Sequence, residues 1–152
     1  MKTREIMVRK VVTAGPGDSV ISVLKLFSSK KISGMPIVED GRVVGMVTEG
    51  DIIAKLDLRT PKIHLASSPD FLLLMASLKG AKDVEERIRA LGNFRVSDLM
   101  TTEVFTASPD CTITEVAGIM QEKGVNRVPV VDRRGRLVGI VARQDIVRSL
   151  VC

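Results

Sequence analysis

Two segments of the 152-residue chain run from an apolar strand into a carboxylate at the same spacing. They are Gly45-Met46-Val47-Thr48-Glu49-Gly50-Asp51 and Gly139-Ile140-Val141-Ala142-Arg143-Gln144-Asp145. A carboxylate placed like Asp51 can accept hydrogen bonds from both hydroxyls of a ribose. Thr48 lies three residues earlier, and its hydroxyl reaches the same side if a helix starts between the two. The same pair is equally a helix cap and a first-turn acid favoured by the helix dipole. At the level of the residues both readings stand. Arg127 and Arg143 offer forked donors suited to phosphate, where Glu49 would repel it; a solvated arginine is the alternative for Arg127.

Other chemistries find little support. His64 is the sole histidine and has no cysteine or carboxylate beside it. Cys111 and Cys152 have no neighbouring cysteine or histidine, which argues against a disulfide scaffold and a four-ligand zinc site. No Gly-x-x-x-x-Gly-Lys-Ser/Thr loop is present to cradle a triphosphate. Asp51 and Asp145 occupy equivalent places in separate segments, so they make no obvious acid/base pair. The expectation is a protein with no catalytic residues, no metal and no enzymatic activity.

Composition narrows the partners. The formal charge is +5, from 23 basic and 18 acidic residues, but the basic residues are spread along the chain. With four phenylalanines and no Trp or Tyr, few stacking platforms exist for single-stranded nucleic acid, so nucleic-acid binding is disfavoured. No apolar run approaches the roughly 20 residues that span a bilayer, and no basic-then-apolar leader opens the chain. No membrane insertion and a cytoplasmic location are expected.

The elements that must position these residues occur twice. At an offset of 93, Val11-Val12-Thr13-Ala14 falls on Val104-Phe105-Thr106-Ala107, Pro16 on Pro109, and Pro36 on Pro129. One extra residue in the second turn moves the offset to 94, bringing Gly45 onto Gly139 and Asp51 onto Asp145. Each repeat reads β-α-β-β-α after a short helical lead-in. In the first, a strand at 11–13 is followed by a helix over 18–30 capped by Asp18 or Ser19, with Val20, Val23, Leu24 and Phe27 as its apolar stripe. Strands at 36–38 and 43–47 flank the Glu39-Asp40-Gly41-Arg42 turn, and a second helix includes Asp51. The second repeat predicts strand 104–106, helix 112–123, strand 128–131, turn 132–136 with Gly135 at positive φ, strand 137–141 and helix 143–150. A unit of this size buries only about 60% of its unfolded surface and is marginal alone. The domains are therefore 1–57, a connector over 58–94, and 95–152. The connector's Phe71-Leu72-Leu73-Leu74-Met75 and Val84 to Leu91 predict helices around 69–79 and 82–91.

With the duplicated pattern in place, the chain resembles a tandem CBS-domain protein, or Bateman module. The resemblance rests on Ser33-Gly34-Met35-Pro36-Ile37-Val38 with the Gly45-to-Asp51 segment, and on Asn126-Arg127-Val128-Pro129-Val130-Val131 with the Gly139-to-Asp145 segment. Asp98-Leu99-Met100-Thr101 also resembles the family's lead-in. It implies an α/β fold (α+β by some schemes) of two pseudosymmetric units joined by a helical insert. It also implies a regulatory or energy-sensing module whose clefts take AMP, ADP or ATP, or S-adenosylmethionine, with no catalytic cofactor.

By the same resemblance, one cleft combines Thr48 and Asp51 with Thr106, Asn126, Arg127 and Val128. The other combines Asp145 with Thr13, Ser33, Gly34 and Met35. Arg143 would face phosphate in the first and Glu49 would face the second, where Ala142 replaces the hydroxyl. A homodimer is expected, since the helices at 18–30 and 112–123 each have an apolar side to bury; a regulated enzyme or transporter is a further partner. A protein-interaction scaffold without nucleotide is the alternative reading.

Overall fold

The computed structural model describes residues 1–56, 86 and 88–151. The expected helix at 69–79, His64 and Cys152 lie outside the described residues. The first lead-in helix and the eight helices and strands of the two repeats run in chain order. They are α1 (Thr3–Ile6), α2 (Val20–Lys30), β1 (Gly34–Glu39), β2 (Arg42–Thr48), α3 (Glu49–Leu56), α4 (Ile113–Lys123), β3 (Arg127–Val131), β4 (Leu137–Ala142) and α5 (Arg143–Val151), α3 and α5 closing their repeats. Residues 88–90 are helical, and short 3-10 turns follow at Leu91–Asn93 and Val96–Asp98.

Local chemistry sets the ends of these elements. Ser19 caps α2 by accepting the Ser22 N–H on its hydroxyl at 3.2 Å. In α4 the cap is reciprocal: Thr112 accepts the Glu115 N–H, and Glu115 accepts the Thr112 N–H at 2.7 Å. That bond, with a second from the Thr112 hydroxyl, holds the Glu115 carboxyl below its ordinary range. The β1–β2 hairpin turns through Asp40 and Gly41 at φ 52° and 79°, the positive pair that matches strand twist in a two-residue turn. Gly135 takes φ 78° in the longer second turn, as its position predicts.

The chain divides into two compact units that interleave the sequence. The first comprises Met1–Gly15, Met35–Met46 and Thr101–Cys152. Its core is Met7, Ala107, Val116, Met120, Val128, Val130 and Val141, so α4 buries residues one turn apart against the β3–β4 sheet. β3 and β4 pair antiparallel from Arg127↔Ala142 to Val131↔Leu137, with a bulge that leaves Val138 as the extra residue. The second unit comprises Pro16–Gly34 and Val47–Met100. There α2 buries Val20, Val23 and Phe27 and packs on the 3-10 turn at 91–93. Val47, Ile52, Leu91 and Val96 are also buried.

Each lead-in serves the other repeat. Lys2 bridges Thr112 and Val8 bridges Ile140, while Arg95 bridges Ser19 and Thr101 bridges Met46. These are equivalent bonds under the 93- and 94-residue offsets. The lead-ins match in detail as well: Glu5 accepts the Lys2 N–H, and Asp98 accepts the Arg95 N–H.

One expectation changes in form. The strands at 11–13 and 104–106 contract to single parallel bridges, Ala14↔Ile37 and Ala107↔Val130. The chain runs beside β1 or β3 for one residue before Pro16 or Pro109, where no N–H exists to extend the ladder. In α2 the buried residues are Val20, Val23 and Phe27, and in α4 Val116 and Met120, with Leu24 and Ile119 half-buried. Among the described residues, α5 carries three of the five exposed large apolar side chains, Val147, Leu150 and Val151 at 60%, 79% and 83%.

Candidate functional site

Strand β2 delivers Thr48 to the start of α3, and the two residues singled out by spacing meet there. Asp51 Oδ2 accepts the Thr48 N–H at 2.8 Å and the Thr48 hydroxyl at 3.1 Å; Asp51 N–H in turn donates to Thr48 Oγ1 at 3.4 Å. This is a reciprocal cap, and it fixes the carboxylate at a half-buried strand-to-helix turn. Ser33 is joined to the same turn, its carbonyl accepting the Glu49 N–H at 3.0 Å. Gly34, buried, follows it into β1.

The equivalent turn lies in the first compact unit. Asp145 Oδ2 accepts the Ala142 N–H at 2.7 Å, but Ala142 has no hydroxyl to complete the cap. Asn126 stands where Ser33 does, its carbonyl accepting the Arg143 N–H at 3.0 Å. Arg127 pairs with Ala142 across the sheet, and Val128 with Val141. Thr13 and Thr106 are exposed beside their parallel bridges. Met35 and Val128 are both 0% exposed, so their side chains belong to the core and only their backbones remain as candidate contacts.

The glycine that opens the second segment does different work from the carboxylate that ends it. A Cβ on Gly139 would stand 2.6 Å from Met7 Sδ and 3.2 Å from Met7 Cβ. The exchanged lead-in therefore needs a glycine there, independent of any ligand. Spacing alone did not reveal this contact, because it depends on which repeat the lead-in joins. Among the described residues no group of three or more His, Cys, Asp or Glu side chains could hold a metal ion.

The CBS domain family matches residues 4–58 and 96–152, the two repeats that carry these strand-to-helix turns. The chain belongs to the CBS-domain family. A Methanocaldococcus jannaschii protein of uncharacterized function is 36% identical over 155 residues, covering 99% of this chain and 92% of its own. Among solved structures, CBSX2 in complex with AMP is 25% identical with a TM-score of 0.73, covering 99% of this chain and 96% of its own. The CBS domain pair of protein MJ0100, solved with methylthioadenosine and S-adenosyl-L-methionine, shares the fold at 24% identity and a TM-score of 0.69, over 99% and 96% of the two chains. Other relatives are longer: the chain spans 44% of a second M. jannaschii protein and 23% of that organism's inosine-5'-monophosphate dehydrogenase. The CBS pair is thus found both nearly alone and as part of larger chains. Among the described residues no helix is long and apolar enough to cross a membrane.

Proposed function

We propose that this CBS pair is a non-catalytic regulatory module binding an adenosine-containing ligand, with AMP, ADP or ATP favoured over S-adenosylmethionine. Asp51 is the ribose acceptor in this reading. The observation that carries it is the Thr48–Asp51 turn. Its reciprocal cap holds the carboxylate in one orientation before any ligand arrives, so little side-chain freedom is lost on binding. Capping and ribose recognition are then successive uses of one fixed group. The AMP complex of CBSX2 supports an adenosyl ligand for the family's fold.

Calorimetry with AMP, ADP, ATP and S-adenosylmethionine, with GTP as control, tests the proposal. Saturable heat with an adenosyl ligand and a raised melting temperature are expected. No heat with any of them, matched by no uptake in equilibrium dialysis, would leave the interaction-scaffold reading ahead.

The exposed apolar residues of α5 favour self-association alongside ligand binding. We propose a homodimer in which α5 of each copy covers Val147, Leu150 and Val151 of the other. Sedimentation should report a dimer that Leu150→Asp converts to monomer. A wild-type monomer across a wide concentration range refutes this.

A further inference from the structure

A recess of about 360 Å³ opens in the first compact unit, where the exchanged lead-in meets the second repeat. Its frame is held by backbone bonds. The Arg4 N–H donates to the Pro109 carbonyl at 3.0 Å, and Val8 and Ile140 exchange bonds at 2.9 and 3.0 Å. Met7, Pro109 and the bulged Val138 supply apolar lining. Bulges commonly re-aim a side chain next to a site.

Three arginines are among the residues that line the same recess: Arg4, Arg9 and Arg133. Its two carboxylates are already engaged. Asp110 pairs with Arg4, and Asp132 Oδ1 accepts the backbone N–H groups of Arg134 and Arg136 at 2.8 and 2.9 Å. Arg9 donates only a long 3.4 Å bond to the Arg4 carbonyl. Among the described residues, no carboxylate pairs with Arg9 or Arg133.

The other copy of the repeated scaffold carries no cation at the places equivalent to Arg4 and Arg9. Under the 93-residue offset, Arg4 corresponds to Ser97 (4 + 93) and Arg9 to Thr102 (9 + 93). The scaffold bond persists without the charge, since the Ser97 N–H donates to the Pro16 carbonyl at 2.9 Å. Arg133 lies in the turn that is one residue longer than its counterpart at 39–42. The arginines are therefore additions to one copy of a repeated frame.

We infer that this recess binds a small phosphate-bearing molecule, its phosphate held by Arg9 and Arg133 and its apolar body resting on Met7, Pro109 and Val138. A carboxylate's two oxygens are satisfied by one guanidinium fork, whereas a phosphate's additional oxygens can engage two. The volume lies at the lower end of small-ligand sites. Ser108, also in the lining, has a hydroxyl proton to donate to the same anion. The site is independent of the ribose turn at Asp51.

Phenyl phosphate is the probe, with benzoate and phenol as controls, followed by phosphorus NMR and calorimetry on the full chain. Saturable binding of phenyl phosphate is expected, tighter than benzoate. Arg9→Ala and Arg133→Ala should each weaken it about tenfold, with Arg9→Lys and Arg133→Lys intermediate. Both residues are exposed, so the melting temperature should hold in each variant. Asp51→Ala should leave binding unchanged. Benzoate binding as tightly, binding that survives both alanine variants, or binding lost with Asp51→Ala would each overturn the assignment. Failure of saturable binding would do so as well.

Discussion

Asp51→Ala is expected to weaken adenosyl-ligand binding by roughly one to two orders of magnitude, and Asp145→Ala by less. Removing a charged acceptor from hydrogen-bonded ribose hydroxyls costs about 1.5–3 kcal/mol, which converts to that range of affinity. The asymmetry comes from Thr48. Its hydroxyl and N–H fix the Asp51 carboxylate from two directions, while at the second turn only the Ala142 N–H reaches Asp145. The first carboxylate is better oriented before binding, so more of its interaction energy appears as affinity. Each substitution also removes a helix-cap bond, worth typically about 1 kcal/mol of stability. Thermal melts of both variants separate that common loss from the difference in affinity. Asp51→Asn provides a further control, since an amide oxygen retains cap acceptance without the charge. Dissociation constants for the wild type and all three variants check the expectation. A ligand lost with Asp145→Ala but kept with Asp51→Ala reverses the assignment of the turns. Normal binding in every variant removes the ribose role altogether.

What could be read in advance follows the range of the forces involved. The ends of α2 and α4 were legible because Ser19 and Thr112 act on N–H groups three residues away. The hairpins were legible because Asp40-Gly41 and Gly135 state their own backbone requirements. Thr48 and Asp51 were found by spacing, yet spacing could not separate a cap from a ligand site, since both use the same atoms. The exchange of the lead-ins was hidden for a different reason. Lys2 and Arg95 begin segments with nearly the same local pattern, and only long-range pairing with Thr112 and Ser19 decides which repeat each completes. The arginine-lined recess depends on that exchange, so it too was out of reach. The strands expected at 11–13 and 104–106 show the converse error. Val-Val-Thr and Val-Phe-Thr have high strand propensity, but propensity does not create a neighbouring edge long enough to pair with.

The exchange has a direct energetic consequence at Gly139. In a strand, Gly→Ala normally stabilises by about 0.4–1 kcal/mol, because the unfolded chain loses freedom. Here Gly139→Ala is expected to destabilise by about 1–3 kcal/mol instead, the usual range for forced overpacking. The new Cβ would stand 2.6, 2.9 and 3.2 Å from Met7 Sδ, Cγ and Cβ. The sulfur could swing aside in isolation, but Met7 Cβ cannot. Its backbone is pinned on one side by the Met7 N–H donating to Thr3 at 2.9 Å, and on the other by the paired bonds between Val8 and Ile140. The side chain itself is enclosed by the core that includes Val130 and Val141. Relief must therefore come from shifting the lead-in or the sheet. Urea unfolding of the wild type, Gly139→Ala, Met7→Ala and the double variant measures the coupling. Met7→Ala alone should cost about 2–5 kcal/mol through its cavity. In that background the Gly139→Ala penalty should shrink, since Sδ and Cγ are gone and only the 3.2 Å contact with the remaining Cβ is left. Strict additivity of the two changes, or a stabilising Gly139→Ala in the wild-type background, would mean that the lead-in does not press on this glycine.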